Sequence, residues 1–126
     1  MNIAIVGATG NVGRKILEVL EKKELSIDTL YLVASSKSAG SKIKFNGKDH
    51  EIFDIEKFDF SKARITFFAA GGKISEKFAE KAAKNSLIID NSSFFRMDPD
   101  VPLIVPQVNP DDLNNIKKNI IANPNC

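Results

Sequence analysis

The chain has 126 residues, 43% of them hydrophobic, and its 18 lysines and arginines exceed its 16 aspartates and glutamates by a net charge of +2. This length suits one domain with its own apolar core and is short for a two-domain enzyme. Its interspersed charges exclude a basic surface for nucleic acid or an anionic membrane. One cysteine excludes an internal disulfide. No secretory signal precedes the first strand and no apolar run approaches the roughly 18 residues of a membrane span, so we expect a cytoplasmic protein.

The amino-terminal stretch predicts a buried strand, a glycine turn and a helix. Residues 3–6 are a short apolar run, and Gly7, Gly10 and Gly13 follow it directly. Apolar residues then recur at helical spacing to about residue 23. Such glycines let the backbone turn tightly and approach a pyrophosphate, which the partial positive charge of a helix N-terminus attracts. The stretch therefore predicts a dinucleotide site, with a ligand-free tight turn as the alternative.

The end of the second predicted strand indicates which dinucleotide binds. Residues 30–34 form this strand, and the chain has no acid between Asp28 and Asp49 that could hold the ribose hydroxyls of NAD. The following loop offers three hydroxyls and a cation, at Ser35, Ser36, Ser38 and Lys37. Because an acid here would repel a 2′-phosphate, its absence favours NADP. The alternative is a polar loop with an ordinary surface lysine.

A β-hairpin is predicted next. Residues 43–45 and 50–53 alternate apolar and polar side chains around Asn46 and Gly47, the strongest short-range signal for a hairpin. His50 lies in this hairpin, far in sequence from any candidate nucleophile. We therefore expect His50 to be a surface residue and not a catalytic base.

The middle of the chain alternates strands and a helix. We predict a central strand over residues 64–70, a helix over 75–85 and a strand over 86–90. Gly71 and Gly72 end the central strand and offer a second place where backbone can lie close to a cofactor.

The last third of the chain completes the pattern. It predicts a polar strand exit at residues 91–96, an extended run at 103–105, a short helix at 110–118 and a final strand at 119–122. Alternating strands and helices indicate an α/β fold of the Rossmann type, with a doubly wound, mostly parallel sheet and a small β-hairpin. In such sheets ligands collect at the carboxyl ends of the strands.

Four motifs, in this order, resemble those of aspartate-semialdehyde dehydrogenase: GATGNVG at 7–13, SSKSAG at 35–40, DNSSFFR at 90–96 and NPNC at 123–126. The resemblance covers essentially the whole chain. Together with the residue patterns, it predicts an NADP site formed by Gly7, Thr9, Gly10, Asn11, Val12, Gly13, Ser35, Ser36, Lys37, Ser38, Ala70, Gly71, Gly72 and Asn91. No metal site is predicted.

The resemblance also implies individual roles. The segment from Thr9 to Val12 would line the NADP phosphates, and Lys37 with Ser38 would hold the 2′-phosphate. Arg96 would bind the phosphate of the substrate, since a guanidinium can grip phosphate through two parallel hydrogen bonds. Cys126 would be the nucleophile that forms an acyl-thioester.

The activity implied is NADPH-dependent reductive dephosphorylation of L-aspartyl 4-phosphate to L-aspartate 4-semialdehyde, in lysine, threonine, methionine and diaminopimelate biosynthesis, by a homo-oligomer. Two features depart from the family. Arginine usually stands where this chain has Lys37, and the family's catalytic histidine, substrate-carboxylate arginine and subunit interface lie downstream of Cys126. We therefore expect residues 1–126 to be the NADP-binding Rossmann domain without the catalytic and dimerisation domain, and to be inactive alone.

Two other interpretations are open at this point. N-acetyl-γ-glutamyl-phosphate reductase shares the fold and the thioester chemistry, but its nucleophile typically follows Asn-Pro-Gly, whereas Asn125 precedes Cys126 here. The second alternative is a non-catalytic NADP-binding module in which Cys126 is incidental.

Overall fold

A computed structural model describes residues 1–23 and 25–124. Within these residues the strands are β1 Asn2–Val6, β2 Thr29–Ala34, β3 Lys42–Phe45, β4 Lys48–Asp54, β5 Ile65–Phe68, β6 Leu87–Asp90 and β7 Ile120–Ala122. The α-helices are α1 Asn11–Lys23 and α2 Gly72–Ala82, and short 3-10 helices span Phe60–Lys62 and Pro110–Asn115.

The strands form one sheet in the order β3-β4-β2-β1-β5-β6-β7. Neighbouring strands are parallel, except for the antiparallel pair β3 and β4. The strands that follow β1 in the chain, β2 to β4, lie on one side of β1. The later strands, β5 to β7, lie on its other side. This arrangement confirms the predicted Rossmann-type α/β fold, and it places the crevice expected to bind a ligand between β1 and β5.

The two helices cover opposite faces of the sheet. On one face Ile5 of β1 belongs to a buried cluster with Leu17 and Leu20 of α1. On the other face Val6 belongs to a second cluster with Phe78 of α2. Successive strand residues point to opposite faces, which is why neighbours in β1 enter different clusters. Each fully buried aliphatic or aromatic side chain contributes about 1.5–3 kcal/mol, so both helices are held chiefly by this burial.

The parallel strands end level with one another. Val6 is in register with Val33 and Phe68, Phe68 with Asp90, and Asp90 with Ala122. The loops that follow these strands therefore leave the sheet at a single edge. This edge brings together the first three motifs and, of the fourth, the described residues Asn123 and Pro124.

The hairpin has the predicted turn. Asn46 and Gly47 have φ of 50° and 79°, as a two-residue type I′ turn requires. His50 is half-buried, with its ring 5.9 Å from that of Phe45 and edge-on to it.

Several predicted boundaries were wrong. Helix α2 begins at Gly72, three residues before the predicted start, because Gly71 with φ of 90° is its N-cap and turns the chain directly into the helix. The preceding strand stops at Phe68, although Ala69 N still donates to Val6 O at 2.8 Å. The predicted helix at 110–118 is a 3-10 helix that ends at Asn115.

Candidate functional site

A cleft of about 380 Å³ opens at the carboxyl edge of the sheet, where the order of the strands reverses. Its lining comes from the ends of β1 and β2, from the segments that follow β1, β2, β4 and β5, and from the first turn of α2: Val6, Gly7, Thr9, Gly10, Ala34, Ser35, Ile55, Ala69, Ala70 and Ile74. The lining is largely small and apolar, with hydroxyls at Thr9 and Ser35. A cleft of this composition can hold a flat ring system beside an exposed polar chain.

The three glycines of the first loop have different reasons to be glycine. A Cβ on Gly7, whose φ is 88°, would lie 2.6 Å from Ala69 O. A Cβ on Gly13 would lie 2.1 Å from Gly7 O. A Cβ on Gly10 would meet only Gly7 O, at an ordinary 3.5 Å. The fold itself therefore requires the first and third glycines, whereas the second leaves open space at the cleft.

The same loop delivers the N-terminus of α1 to this edge. Gly10 N donates to Gly7 O at 3.0 Å, which closes the turn immediately before the helix begins at Asn11. The first N–H groups of a helix have no acceptor within it, and the helix dipole adds a partial positive charge there. Arg14 Nε donates to Thr9 O at 3.1 Å and so fixes the carbonyl of the loop. The arrangement suits an anion.

The loop after β2 stands beside the cleft through Ser35. Ser35 O accepts hydrogen bonds from Ser38 N at 3.0 Å and Ala39 N at 3.1 Å, which fold residues 35–39 into a turn. Ser36 and Lys37 are exposed on this turn. In the part of the chain that the structure describes, Lys37 forms no salt bridge. Its ammonium group is available to a ligand.

Arg96 forms a second centre, at the ends of β6 and β7. Its Nε donates to Asn123 O at 3.3 Å and its Nη2 donates to Asn91 O at 3.2 Å, while Asn123 Nδ2 donates to Asn91 Oδ1. Among residues 1–23 and 25–124, no carboxylate pairs with Arg96. A guanidinium has five N–H groups, so three of them have no acceptor among the described residues and can bind an external anion.

A buried carboxylate lies beneath this centre. Asp90 is fully buried and accepts hydrogen bonds from Ser75 Oγ at 2.7 Å, Ser92 N at 3.1 Å and Ser92 Oγ at 2.7 Å. Ser75 belongs to α2 and Ser92 to the loop that carries Arg96. Asp90 therefore joins the two segments through direct hydrogen bonds.

The chain beyond Arg96 is anchored by an ion pair. Lys118 Nζ donates to Asp98 Oδ2 at 2.9 Å, and Asp100 N donates to Asp98 Oδ1 at 2.9 Å. The hydrogen bond from Lys118, followed by that from the Asp100 backbone, holds the pKa of the Asp98 carboxyl below its ordinary value. The pair connects the loop after Arg96 to the segment that leads into β7.

Other features of the described residues carry no comparable chemistry. A hollow of about 490 Å³ lies at the opposite edge of the sheet, near Leu30 and His50, and none of the motifs reaches it. No group of three or more histidine, cysteine, aspartate or glutamate side chains is placed there or elsewhere in the described chain to hold a metal ion. Neither described helix has the length and hydropathy needed to cross a membrane.

Comparison with known proteins identifies the family. The family model for the semialdehyde dehydrogenase NAD-binding domain matches residues 2–116. The chain belongs to this family. Aspartate-semialdehyde dehydrogenases of Shewanella violacea and Helicobacter pylori are 50% and 49% identical to it over 127 aligned residues, 99% of this chain in both cases. The chain spans only 38% and 37% of the lengths of those relatives.

A solved structure gives the same result. Aspartate semialdehyde dehydrogenase II of Vibrio cholerae, crystallised with a compound abbreviated ASA, superposes with a TM-score of 0.95 at 49% identity. The match covers 99% of this chain and 42% of that one. These comparisons confirm the predicted family resemblance, and they do not favour the alternative N-acetyl-γ-glutamyl-phosphate reductase.

The structure of this NAD-binding domain places most of the predicted site residues at one edge. Asn11, Val12 and Gly13 begin α1, Gly71 and Gly72 begin α2, and the other predicted cofactor residues line the cleft or the adjacent turn: Gly7, Thr9, Gly10, Ser35, Ser36, Lys37, Ser38 and Ala70. Asn91 follows β6, which is separated from the cleft by β5. Asn91 O accepts a hydrogen bond from Arg96. Cys126 lies outside the described residues. The individual binding roles stay predictions.

Sequence reasoning did not identify every residue of the site. Ile55 and Ile74 line the cleft, and Ser75, Ser92 and Asn123 organise the surroundings of Arg96. Ser92 and Asn123 fall inside two of the motifs, which could have drawn attention to them. Ser75 has no local signal, because its role depends on a contact with a residue 15 positions away.

Proposed function

We propose that this chain is the NADP-binding domain of an aspartate-semialdehyde dehydrogenase. The observation that carries the proposal is the cleft at the strand reversal, which combines an open glycine, a helix N-terminus and the cationic turn at Lys37. The identity of about 50% to aspartate-semialdehyde dehydrogenases supports the same assignment. By the same resemblance, the full-length protein is a cytoplasmic homo-oligomer.

The residues present fit a dinucleotide phosphate. Gly10 lines the cleft, and the surrounding protein would leave room for a side chain at this position. Because the residue is glycine, that room is open to a ligand. Helix α1 begins at Asn11, directly after the cleft residue Gly10, and its first turn contains no acidic residue to oppose an anion. Ser35, Ser36, Lys37 and Ser38 provide hydroxyls and a positive charge for a 2′-phosphate where an NAD site would have an acid.

The reaction proposed for the whole protein divides between the two centres. The nicotinamide, when bound, supplies a hydride to the substrate. Arg96 holds the phosphate of L-aspartyl 4-phosphate through its free N–H groups. The Cys126 thiolate attacks the acyl carbon, and the C–O bond to phosphate breaks to release inorganic phosphate and leave a thioester. Addition of the hydride to the thioester carbon, with cleavage of the C–S bond and release of the Cys126 thiolate, would give L-aspartate 4-semialdehyde.

Cofactor binding by this chain tests the first part of the proposal. We expect calorimetric titration to give tighter binding for NADPH than for NADH. The matched variants are Lys37→Ala, at the proposed 2′-phosphate site, and Lys22→Ala, at the far end of α1. Equal or tighter binding of NADH by the unmodified chain would contradict the assignment.

Activity of a full-length protein tests the second part. The chain can be joined to the remaining part of the Shewanella violacea relative, and phosphate-dependent reduction of NADP by aspartate semialdehyde can then be measured. We expect activity that is lost in Cys126→Ala. Arg96→Ala should raise the KM for phosphate or lower the phosphate-dependent rate, whereas Lys23→Ala should change neither. A folded joined protein that binds NADP but shows no phosphate-dependent activity would contradict the proposal.

A further inference from the structure

The carboxylate of Asp90 is buried without a cation. Its side chain is 0% exposed, and no salt bridge within the described residues includes it. Removing a carboxylate from water is costly unless hydrogen bonds compensate for the loss of solvent. Here three donors do so, from Ser75 Oγ, Ser92 N and Ser92 Oγ. Each of these donors has a defined direction, so the carboxylate specifies the position of both serines.

Stability alone does not account for this arrangement. Asp90 lies at the end of β6, on the same face as Ile88, which belongs to the cluster beneath α2. A well-packed apolar side chain in place of a buried polar network is often neutral or stabilising. We therefore look for the role of the Asp90 carboxylate in the two segments that it binds. These segments are the start of α2 and the loop of residues 91–96.

The first segment borders the cofactor cleft. Ser75 lies in the first turn of α2, and its N–H donates to the O of Gly71, the N-cap, at 3.2 Å. Its neighbour Ile74 lines the cleft, as does Ala70. The hydrogen bond from Ser75 Oγ to Asp90 thus connects the cleft wall to the end of the next strand.

The second segment carries the arginine. Ser92 binds Asp90 through both N and Oγ, and Ser92 Oγ also accepts a hydrogen bond from Phe94 N at 3.2 Å. These contacts fix the first turn of the loop. Immediately before it, Asn91 N donates to Phe68 O at 2.9 Å, and Asn91 O accepts from Arg96 Nη2. The carbonyl that orients the guanidinium therefore belongs to the peptide that Ser92 anchors.

We propose that Asp90 is a positioning residue for Arg96 and acts through Ser92, with Ser75 setting the position of the loop relative to the cofactor cleft. The inference rests on the proposed function, because only that function assigns a phosphate to Arg96. Asp90 does not touch the phosphate. It holds Asn91 O where the guanidinium binds it, so that the three free N–H groups of Arg96 keep one direction.

Ser92→Ala is the informative variant, because it removes the donor to Asp90 Oδ2 and the acceptor for Phe94 N. Ser93→Ala is the matched control, since Ser93 lies in the same loop and is exposed. Inorganic phosphate titrated into the chain, followed by NMR at Arg96 Nε–H, measures anion binding. We expect Ser92→Ala to weaken phosphate binding about tenfold. This corresponds to the loss of one charge-assisted hydrogen bond between Arg96 and phosphate, or ~1.4 kcal/mol. We expect Ser93→Ala to bind as the unmodified chain does.

A second measurement needs no ligand. The heteronuclear NOE of Arg96 Nε–H should be that of a rigid group in the unmodified chain and in Ser93→Ala, and should fall in Ser92→Ala. Ser92→Thr, which restores a hydroxyl, should recover both the NOE and the phosphate affinity. NADPH affinity should stay within about twofold of its original value in Ser92→Ala, which a general loss of structure would not allow.

The outcomes separate the two proposals. If Ser92→Ala retains the NOE and the phosphate affinity, the hydrogen bond from Ser92 Oγ to Asp90 does not position Arg96, and the inference is wrong. If Arg96→Ala binds phosphate as well as the unmodified chain, the phosphate role in the proposed function is wrong, and the NOE still decides whether Asp90 orders the guanidinium. Should Ser92→Ala fail to unfold cooperatively, Asp90→Asn is measured in the same two ways, with loss of the NOE expected and its retention contradicting the inference.

Discussion

Comparison of Gly13→Ala with Gly10→Ala tests which part of the first loop serves the fold and which serves a ligand. In Gly13→Ala the new Cβ would lie 2.1 Å from Gly7 O and 2.8 Å from Gly7 C. Both are backbone atoms and cannot rotate away. Ordinary contact needs about 3.5 Å, so α1 would have to move from the turn by roughly 1 Å or more.

The cost of that movement can be estimated. Overpacking of a close contact costs about 1–3 kcal/mol or more, and a clash with backbone belongs at the upper end of that range. Alanine inside a helix recovers about 1 kcal/mol relative to glycine. We therefore expect Gly13→Ala to lower the free energy of unfolding by about 2 kcal/mol. In a domain of this size the melting temperature should fall by about 6–10 °C.

Gly10→Ala should behave in the opposite way. Its Cβ would meet only Gly7 O, at 3.5 Å, and its φ is not positive. Stability should be unchanged or rise by about 0.4–1 kcal/mol, because alanine restricts the unfolded chain. The added methyl group occupies the lining of the cleft, however, so NADPH should bind about tenfold or more weakly, a loss of at least ~1.4 kcal/mol.

The free energy of unfolding of both variants is measured by urea unfolding followed by circular dichroism. Their NADPH affinity is measured by titration. Stability of Gly13→Ala within about 0.5 kcal/mol of the original would refute the steric reasoning, since that is the range of an ordinary surface substitution. Unchanged NADPH affinity in Gly10→Ala would show that the open space at this glycine does not receive the cofactor.

Three further predictions concern other parts of the chain. Lys37→Glu should weaken NADPH binding about tenfold, by loss of a charge-assisted contact. It should leave NADH binding unchanged or tighten it, since an acid here can hold the ribose hydroxyls of NAD. Lys42→Glu on the exposed hairpin should alter neither titration. Gly47→Ala should lower the free energy of unfolding by about 1–2 kcal/mol in urea, because an L-residue must then adopt φ of 79°. The lowered pKa of Asp98, paired with Lys118, contributes stability that is present above the unfolded carboxyl pKa of about 3.9 and is lost as pH falls through the lower folded value. Asp98→Asn should therefore destabilise the protein at neutral pH and reduce the acid dependence of its unfolding, and an unaltered acid limb would contradict the linkage.

Features that depend on neighbouring residues could be predicted from the amino-acid sequence. The apolar run, the glycines and the helical spacing after Gly13 predicted β1, the turn and α1, because a strand and a helix have different side-chain periods. Asn46-Gly47 predicted the hairpin, since both residues readily adopt positive φ. The joint order of four motifs indicated the family, which the comparisons confirm.

Features that depend on residues far apart in the chain could be identified only in the folded protein. The need for glycine at position 7 comes from Ala69 O, more than sixty residues later. Arg96 donates to the backbone O of Asn123, which is 27 residues away in the chain. The sequence spacing of two residues does not indicate whether they are close in space. Hydrogen-bond partners across a parallel sheet are chosen by strand order and register, which arise when the whole core packs.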